Sequence, residues 1–241
     1  MTQAPSIHVE GTHHIDGQRL FGPVDLTLPA GQWTCVLGRS GVGKSTLLRL
    51  IANLPCAGYF DGQTSASDGA ELTGRASVMA QSDLLLPWLS VFENTVIGAR
   101  LRNQDPDTHK AERLLDRVGL SEHLRKKPGA LSGGMRQRTA LARTLMENRP
   151  IALLDEPFSA LDASTRADMK DLAAEVLKSK TVLLVTHDPA EAVRLGHRII
   201  VLTPDAAQEW PTPHINPIRD QYAPETVTCQ ASLLKHLRET P

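Results

Sequence analysis

One glycine-rich stretch limits the possible folds of this chain more than any other. It consists of Gly38, Arg39, Ser40, Gly41, Val42, Gly43, Lys44, Ser45 and Thr46, and its spacing is that of a phosphate-binding P-loop. The apolar run Trp33–Leu37 before the loop predicts a buried strand, and Leu47, Leu48, Leu50 and Ile51 after it repeat at helical spacing. Strand, glycine loop and helix is the arrangement that this motif needs, so the chain is predicted to bind a nucleoside triphosphate.

The residue types in the loop suit that ligand. Glycines let the backbone approach a polyphosphate closely, and the helix that follows adds the positive end of its dipole. Lys44 is predicted to reach the β- and γ-phosphates, and the hydroxyl of Ser45 is predicted to be a ligand of Mg²⁺.

Length and charge exclude several classes of protein. The chain has 241 residues, a formal net charge of −1 and a pI near 6.8, so it can bury a substantial core and has no general attraction to nucleic acid. Its cysteines lack metal-ligand spacing and indicate ordinary thiols in a reducing compartment. The N-terminus lacks a signal-peptide pattern, and no apolar run approaches the ~20 residues of a spanning helix. We therefore expect a protein that is neither secreted nor inserted in a membrane.

The hydrophobic pattern predicts an α/β fold with an antiparallel N-terminal subdomain. Alternating residues at Ile7–Glu10 and Val24–Leu28 predict two antiparallel strands before the P-loop. The stretch between Pro55 and Gly74 is rich in Gly, Ser and Asp and is predicted to be an exposed connection. A buried strand is predicted at Ala76–Ala80, ending before Gln81.

The second half of the pattern predicts an inserted helical subdomain and a mostly parallel core sheet. Residues 84–146 have helical spacing. Beyond them, apolar runs alternate with helices, which implies a parallel sheet with right-handed crossovers; the runs are Ile151–Leu154, Thr181–Val185 and Arg198–Leu202, and the helices are near Ala163–Leu177 and Pro189–Leu195. Residues 204–241 are predicted to form a proline-rich surface extension that ends in a short helix near Ser232–Arg238. We expect residues 1–241 to form a single ATP-binding domain.

Two further motifs carry chemistry. Ile151–Leu154 delivers Asp155 and Glu156 at the end of a strand, where ligands bind in open α/β sheets. Asp155 is predicted to hold the Mg²⁺ shell, and Glu156 is predicted to face the γ-phosphate and polarise the attacking water. The stretch Leu131–Gln137 is glycine-rich, with Ser132 able to cap a helix whose end can hold a phosphate.

From about Ile7 to Leu202, the chain resembles the ATP-binding subunit of an ABC (ATP-binding cassette) transporter. The motifs agree in identity, order and spacing: the P-loop Gly38–Thr46, the Q-loop glutamine Gln81, the signature Leu131–Gln137, the carboxylates Asp155 and Glu156, the D-loop Ser159–Asp162 and the switch histidine His187. Met135 departs from the glutamine usual in the signature, at a position that varies among functional members.

The resemblance implies a head-to-tail homodimer that encloses two ATP molecules. Each ATP would lie on the P-loop of one copy and be capped by Ser132, Gly133 and Gly134 of the other. Asp162 would communicate across the interface.

The same resemblance assigns the catalytic and metal-binding residues. Glu156, His187 and Gln81 are the expected catalytic residues, with His187 holding the γ-phosphate. Ser45, Asp155 and Gln81 are the expected contacts of Mg²⁺. The adenine usually stacks on an aromatic residue before the P-loop, but none occurs near His14. His14 is therefore the predicted base contact, with Ile15 as the alternative, and discrimination between ATP and GTP is expected to be weak.

A membrane partner is predicted from the segment after Gln81. Three leucines, a proline and a tryptophan at Leu84–Trp88 are typical either of core packing or of a groove for a helix of a membrane permease. We favour the groove. The chain is then a peripheral subunit on the cytoplasmic face of the inner membrane, with an extracytoplasmic solute-binding protein as an indirect partner and no nucleic-acid partner.

The segment from Gln81 to Asn94 resembles that of importers for nitrate, sulfonates, taurine and thiamine-pyrimidine precursors. An exporter subunit remains an alternative, and so does a soluble ABC ATPase of translation or DNA maintenance. The soluble class is disfavoured because this chain has one cassette, a compact helical region and a near-neutral charge. A P-loop kinase or GTPase is disfavoured by the signature Ser132–Gly134 and by the absence of a guanine-reading Asn-Lys-x-Asp motif.

Overall fold

The computed structural model describes residues 4–239 of the chain, which divide into two compact units. Within the described residues, the first, here called the core unit, comprises 4–76, Pro150–Asp155 and 179–239. The second, here called the helical unit, comprises Ser77–Arg149 and Glu156–Lys178.

The core unit begins with an antiparallel sheet, as predicted. Its strands are β1 (Ile7–Ile15), β2 (Gln18–Leu28) and β4 (Tyr59–Ala66), in the order β2-β1-β4. β1 pairs with β2 on one side, starting at Ile7↔Leu28, and with β4 on the other, starting at Ile7↔Ala66.

The prediction of an exposed connection from Pro55 to Gly74 was wrong, because this stretch contains β4. Few β4 side chains are buried, so its sequence lacks the alternation that marks a half-buried strand. Its pairing comes from the backbone, and Gly62 permits a close approach, since a Cβ there would lie 2.1 Å from the Glu10 carbonyl oxygen.

Among the described residues of the core unit, the other sheet has the strand order β6-β7-β3-β8-β9. Its strands are β3 (Trp33–Leu37), β6 (Ile151–Asp155), β7 (Thr181–Val185), β8 (Arg198–Leu202) and β9 (Ala207–Trp210). The short strand β5 (Ala76–Met79) lies within the strand predicted at Ala76–Ala80. Pairing is parallel between β6 and β7, β7 and β3, and β3 and β8, and antiparallel between β8 and β9. β3, β6 and β7 are buried along their whole length, as expected for parallel strands covered on both faces. The predicted α/β class with a mostly parallel sheet is confirmed.

Helices of the core unit are α1 (Lys44–Ile51), α6 (Pro189–Leu195) and α7 (Pro224–Glu239). The short last helix predicted near Ser232–Arg238 is in fact the end of α7, which begins at Pro224. Thr226 and Leu233 are its buried residues, so its first half carries little of the apolar spacing that predicts a helix.

The helical unit contains α2 (Val91–Leu101), α3 (Thr108–Arg117), α4 (Gly133–Met146) and α5 (Ala163–Val176). α2 starts with a capping box, in which Ser90 and Glu93 each bond the other's backbone N–H. α3 buries Ala111, Leu114 and Leu115 on one face, at the spacing of an amphipathic helix. α4 buries Ala140, Leu141 and Leu145 among other residues of its inner face.

Candidate functional site

The register of the core sheet aligns three of the predicted motifs at one edge. Val36 of β3 pairs with Val185 of β7, and Val185 pairs with Asp155 of β6. Because the three strands run parallel, their carboxyl ends meet at the same edge, where open α/β sheets bind ligands. The P-loop follows β3, Asp155 ends β6, and His187 follows β7.

The P-loop requires glycine at specific positions. Gly43, the residue before α1, has φ = 101°, and a Cβ there would lie 2.4 Å from the buried ring of Phe21. Gly38 has φ = 151°, and a Cβ there would lie 2.4 Å from the Leu202 carbonyl oxygen. Both positions therefore exclude any larger residue, and they bring the backbone to the start of α1 in the form that accommodates an anion at a helix N-terminus.

The side chain of Lys44 donates hydrogen bonds to the backbone of the P-loop itself. Its side chain is buried, and Nζ donates to the carbonyl oxygens of Gly38 and Arg39 at 2.8 Å each. The ammonium charge is thus held beside the helix N-terminus, where negative charge is stabilised. Ser45, the next residue, is exposed. A positive lysine, a helix N-terminus and obligatory glycines fit a polyphosphate.

Asp155 and His187 are held at the same edge. Asp155 is buried at the end of β6. After β7, the Thr186 hydroxyl donates to the buried Glu191 at 2.7 Å and accepts the Asp188 N–H at 3.0 Å. Asp188 in turn caps α6. These bonds fix both ends of the short segment that presents the exposed His187.

In the helical unit, the signature motif forms the exposed start of α4, and the predicted cap is confirmed. The Ser132 hydroxyl accepts the Met135 N–H at 3.2 Å. Gly133 and Gly134 are the first helical residues, and a Cβ on Gly134 would lie 3.3 Å from the Ala160 carbonyl oxygen. Ser132 and Gly133 are solvent-exposed, so an anion has access to this helix N-terminus.

Glu156 lies in the helical unit with Gln81. The Gln81 amide Nε2 lies 3.4 Å from Glu156 Oε2. The Glu156 backbone has φ = 48°, a left-handed conformation that is uncommon for a residue with a side chain. Its carbonyl oxygen accepts from Gln137 Nε2 at 3.1 Å and from the Ser159 hydroxyl at 3.1 Å. Gln137 lies within the predicted signature, but its contact with Glu156 could not be predicted because no local pattern connects the two residues.

The segment proposed to dock a permease presents two exposed apolar side chains. Leu84 is 63% exposed and Trp88 is 64% exposed, whereas Leu85 between them is buried. Leu84 has φ = 47°. Arg143 on α4 donates to the carbonyl oxygens of Leu84 and Asp83, at 2.8 and 2.7 Å. Burial lowers the pKa of Arg143, and the nearby carboxylate of Asp83 has the opposite, smaller effect on that pKa.

The predicted base contact, His14, stacks on Tyr59 with ring centroids 4.9 Å apart and an interplanar angle of 14°. His13 stacks instead on Phe21, whose ring borders Gly43 of the P-loop. The pairing of β1 with β2 shifts register between His13 and His14. The base contact, His14 or the alternative Ile15, therefore stays a prediction.

Among residues 4–239, no group of three or more His, Cys, Asp or Glu side chains is arranged to hold a metal ion. A Mg²⁺ ion that is shared with a nucleotide needs only one or two protein oxygens, because phosphates and water supply the others. Asp155 and Ser45 have the right donor atoms for that arrangement. None of the helices in that part of the chain combines the length and the hydropathy of a membrane-spanning segment.

Comparison with known proteins relates this chain to one family. The family profile described as ABC transporter matches residues 21–159. A Haemophilus influenzae protein named "Uncharacterized ABC transporter ATP-binding protein" is 44% identical over 229 residues, which are 92% of this chain and 94% of that protein. The "Aliphatic sulfonates import ATP-binding protein SsuB 2" of Agrobacterium fabrum is 47% identical over 192 residues, covering 78% and 71%.

The fold is similar to that of a solved ATP-binding cassette. The dimeric structure of a post-hydrolysis state of MJ0796, bound to ADP and Pi, superposes with a TM-score of 0.74 at 27% identity. The superposition covers 89% of this chain and 99% of that one.

Proposed function

The chain belongs to the ABC transporter family, and from this premise we propose that it is the ATP-hydrolysing subunit that drives uptake of a small solute through a separate membrane permease. The observation that carries the choice of import is the 47% identity to a protein named for aliphatic sulfonate import. Of the solute classes suggested by the segment around Gln81, sulfonates therefore have the strongest support, with thiamine-pyrimidine precursors, nitrate and taurine as the other candidates.

The core unit would bind the triphosphate. Lys44 already lies beside the start of α1, so its ammonium group can exchange carbonyl partners for phosphate oxygens. The glycines at 38, 41 and 43 carry no side chain that could come between the backbone and the phosphates. His187, exposed at the same edge of the sheet, would contact the γ-phosphate.

Asp155 and Ser45 would hold Mg²⁺, with Gln81 as a further contact. Carboxylate and hydroxyl oxygens are the ligands that this ion prefers. When bound, Mg²⁺ bridges phosphate oxygens and neutralises the charge that develops during phosphoryl transfer. The protein contributes a buried carboxylate whose position is set by the pairing of β6 with β7.

Glu156 would orient the attacking water, with Gln81 beside its carboxylate. A carboxylate that accepts a hydrogen bond from water aligns the lone pair for in-line attack and raises the negative charge on the oxygen. Gln81 donates toward the same carboxylate, which restricts its rotamers.

We propose that two copies of the chain act as a head-to-tail pair. The exposed N-terminus of α4, with Ser132, Gly133 and Gly134, would cap the ATP held by the partner's P-loop. MJ0796 is dimeric in its ADP and Pi complex, which supports this arrangement.

We propose that Leu84 and Trp88 contact the permease, which would hold the chain at the cytoplasmic face of the membrane. Both side chains are more than three-fifths exposed, and an exposed tryptophan beside an exposed leucine suits an anchored helix-in-groove contact. An extracytoplasmic binding protein would deliver the solute to that permease.

The proposal is tested by purifying a tagged Glu156→Gln chain, with Mg-ATP, from detergent-solubilised membranes of its own host, followed by mass spectrometry. The matched control carries Trp88→Ala in addition. Recovery of one multi-span permease that depends on Trp88 supports a transport subunit, and the binding protein beside it identifies the solute class. Recovery of ribosomal or DNA-maintenance proteins without a permease would overturn the proposal.

A further inference from the structure

Gln137 is a buried glutamine that uses both ends of its side-chain amide. It lies on α4, about one turn beyond the first helical residue, Gly133, and is 6% exposed. Its Nε2 donates to the Glu156 carbonyl oxygen at 3.1 Å and to the Ser159 hydroxyl at 3.3 Å. Its Oε1 accepts the Ala160 N–H at 2.7 Å.

These contacts fix the orientation of the amide. Only an oxygen can accept the Ala160 N–H, so the nitrogen must face Glu156 and Ser159. In the reverse orientation, the amide oxygen of Gln137 would face the Glu156 carbonyl oxygen, and its NH₂ group would face the Ala160 N–H. A glutamate of the same shape keeps the acceptor but lacks the N–H donors, and a methionine of similar length lacks both.

The peptide held by Gln137 is the one that carries Glu156. Glu156 has φ = 48°, and residues with a side chain keep this conformation only where surrounding contacts hold it. Its carbonyl oxygen also accepts from the hydroxyl and the N–H of Ser159, at 3.1 and 3.3 Å. The donors from Gln137 and Ser159 together fix the plane of the peptide that follows Glu156. The orientation of this plane limits the direction in which the Glu156 side chain points.

We propose that Gln137 is a positioning residue for hydrolysis, which aims the Glu156 carboxylate and ties it to the signature helix. The inference rests on the proposed role of Glu156. Ser132 caps α4, and Gly133 and Gly134 are its first residues. Movement of that end of the helix is transmitted through Gln137 to the peptide that follows Glu156. When the start of α4 caps the ATP of the partner copy, the same movement then aligns the Glu156 carboxylate of this chain.

The test compares Gln137→Met and Gln137→Glu with the wild type in ATP turnover and in binding of a fluorescent ATP analogue. A misplaced catalytic group costs up to about 100-fold in rate. We expect kcat to fall about 10- to 100-fold in both variants, while the Kd for the analogue changes less than about twofold. The matched control is Gln221→Met, which alters an exposed glutamine remote from these motifs in sequence.

A second measurement separates positioning from a general loss of stability. In single-turnover hydrolysis, Gln137→Met is combined with Glu156→Gln. A residue that acts only through Glu156 has no further effect once the carboxylate is gone, so the double variant should match Glu156→Gln within about twofold. Ser159→Ala removes another donor to the same carbonyl oxygen from outside α4, and it should lower kcat in the same direction but less.

Wild-type turnover in Gln137→Met would overturn the inference. An equal loss of analogue affinity and turnover, or a loss that multiplies with that of Glu156→Gln, would assign Gln137 to folding instead. Failure of the proposed function itself has a different signature, because Glu156→Gln alone would then retain turnover whatever Gln137 does.

Discussion

Replacing Gly43 with alanine tests whether the P-loop is shaped by packing as well as by backbone freedom. Gly43 combines a positive φ of 101° with close neighbours, since a Cβ there would lie 2.4 and 2.9 Å from two ring carbons of Phe21. Gly41, in the same loop, has φ = 84° but nothing within 4 Å of its Cβ position. Gly41→Ala therefore places an alanine at a positive φ without any steric clash, and it is the matched control.

The expected magnitudes follow from these two environments. An alanine in the left-handed region costs about 1–2 kcal/mol, offset by about 0.4–1 kcal/mol because alanine restricts the unfolded chain. Both variants share these contributions. Overpacking against a buried ring adds about 1–3 kcal/mol to Gly43→Ala alone. Phe21 is completely buried, so its ring cannot swing into solvent to relieve the contact.

The assay is unfolding by urea without nucleotide, with melting temperature as a second observable. Gly43→Ala should be less stable than Gly41→Ala by about 1–3 kcal/mol, and each kcal/mol should lower the melting temperature by about 2–4 °C in a chain of this size. Equal stability of the two variants, within about 0.5 kcal/mol, would refute the view that Phe21 excludes a side chain at this position.

Three further outcomes follow from the site and the fold. Glu156→Gln keeps the side-chain shape but removes the charge that orients water, so turnover should fall by at least about 100-fold while an ATP-bound dimer accumulates in gel filtration; unchanged turnover would remove Glu156 from the mechanism. Trp88→Ala removes an exposed ring, so the ATPase rate of the isolated chain should stay within about twofold while affinity for the permease drops at least about tenfold; loss of both would contradict a role confined to the permease contact. Burial, with a smaller effect of Arg219, lowers the pKa of His197 from 6.5, and its Nδ1 accepts the Trp33 N–H at 3.1 Å. The imidazole of His197 therefore binds a proton more readily in the unfolded chain than in the folded chain. The stability that neutral His197 contributes is complete above about pH 6.5 and is lost as the pH falls through the lowered pKa. His197→Asn should show a smaller drop in melting temperature than the wild type between about pH 7.5 and 5.5, and an equal drop would assign the loss of stability in acid to other groups.

Local patterns were sufficient for the elements that bury an apolar face. The strands at Ile151–Asp155 and Thr181–Val185 are short, continuous apolar runs, and the structure has them as neighbouring parallel strands. The cap at Ser132 was also predictable, because capping depends on residues within one turn.

Elements stabilised by backbone pairing were missed. β4 pairs with β1 along its length while exposing most of its side chains, so hydropathy carries almost no signal for it. The first half of α7 is similar, since few of its residues are buried. The backbone of β4 bonds to β1, and the backbone of α7 bonds within the helix, so neither segment needs a regular apolar face of its own.

The predicted chemistry could be recognised from the sequence because each motif is contiguous: a P-loop lysine, a strand that ends in Asp155 and Glu156, and a signature serine with two glycines. Contacts between groups that are distant in the chain became visible only in the folded structure. It places Gln137 on the Glu156 carbonyl oxygen and stacks His14 on Tyr59 of a strand that the sequence did not predict. Such contacts depend on register and helix packing, which join residues far apart in the chain and leave no local pattern in the sequence.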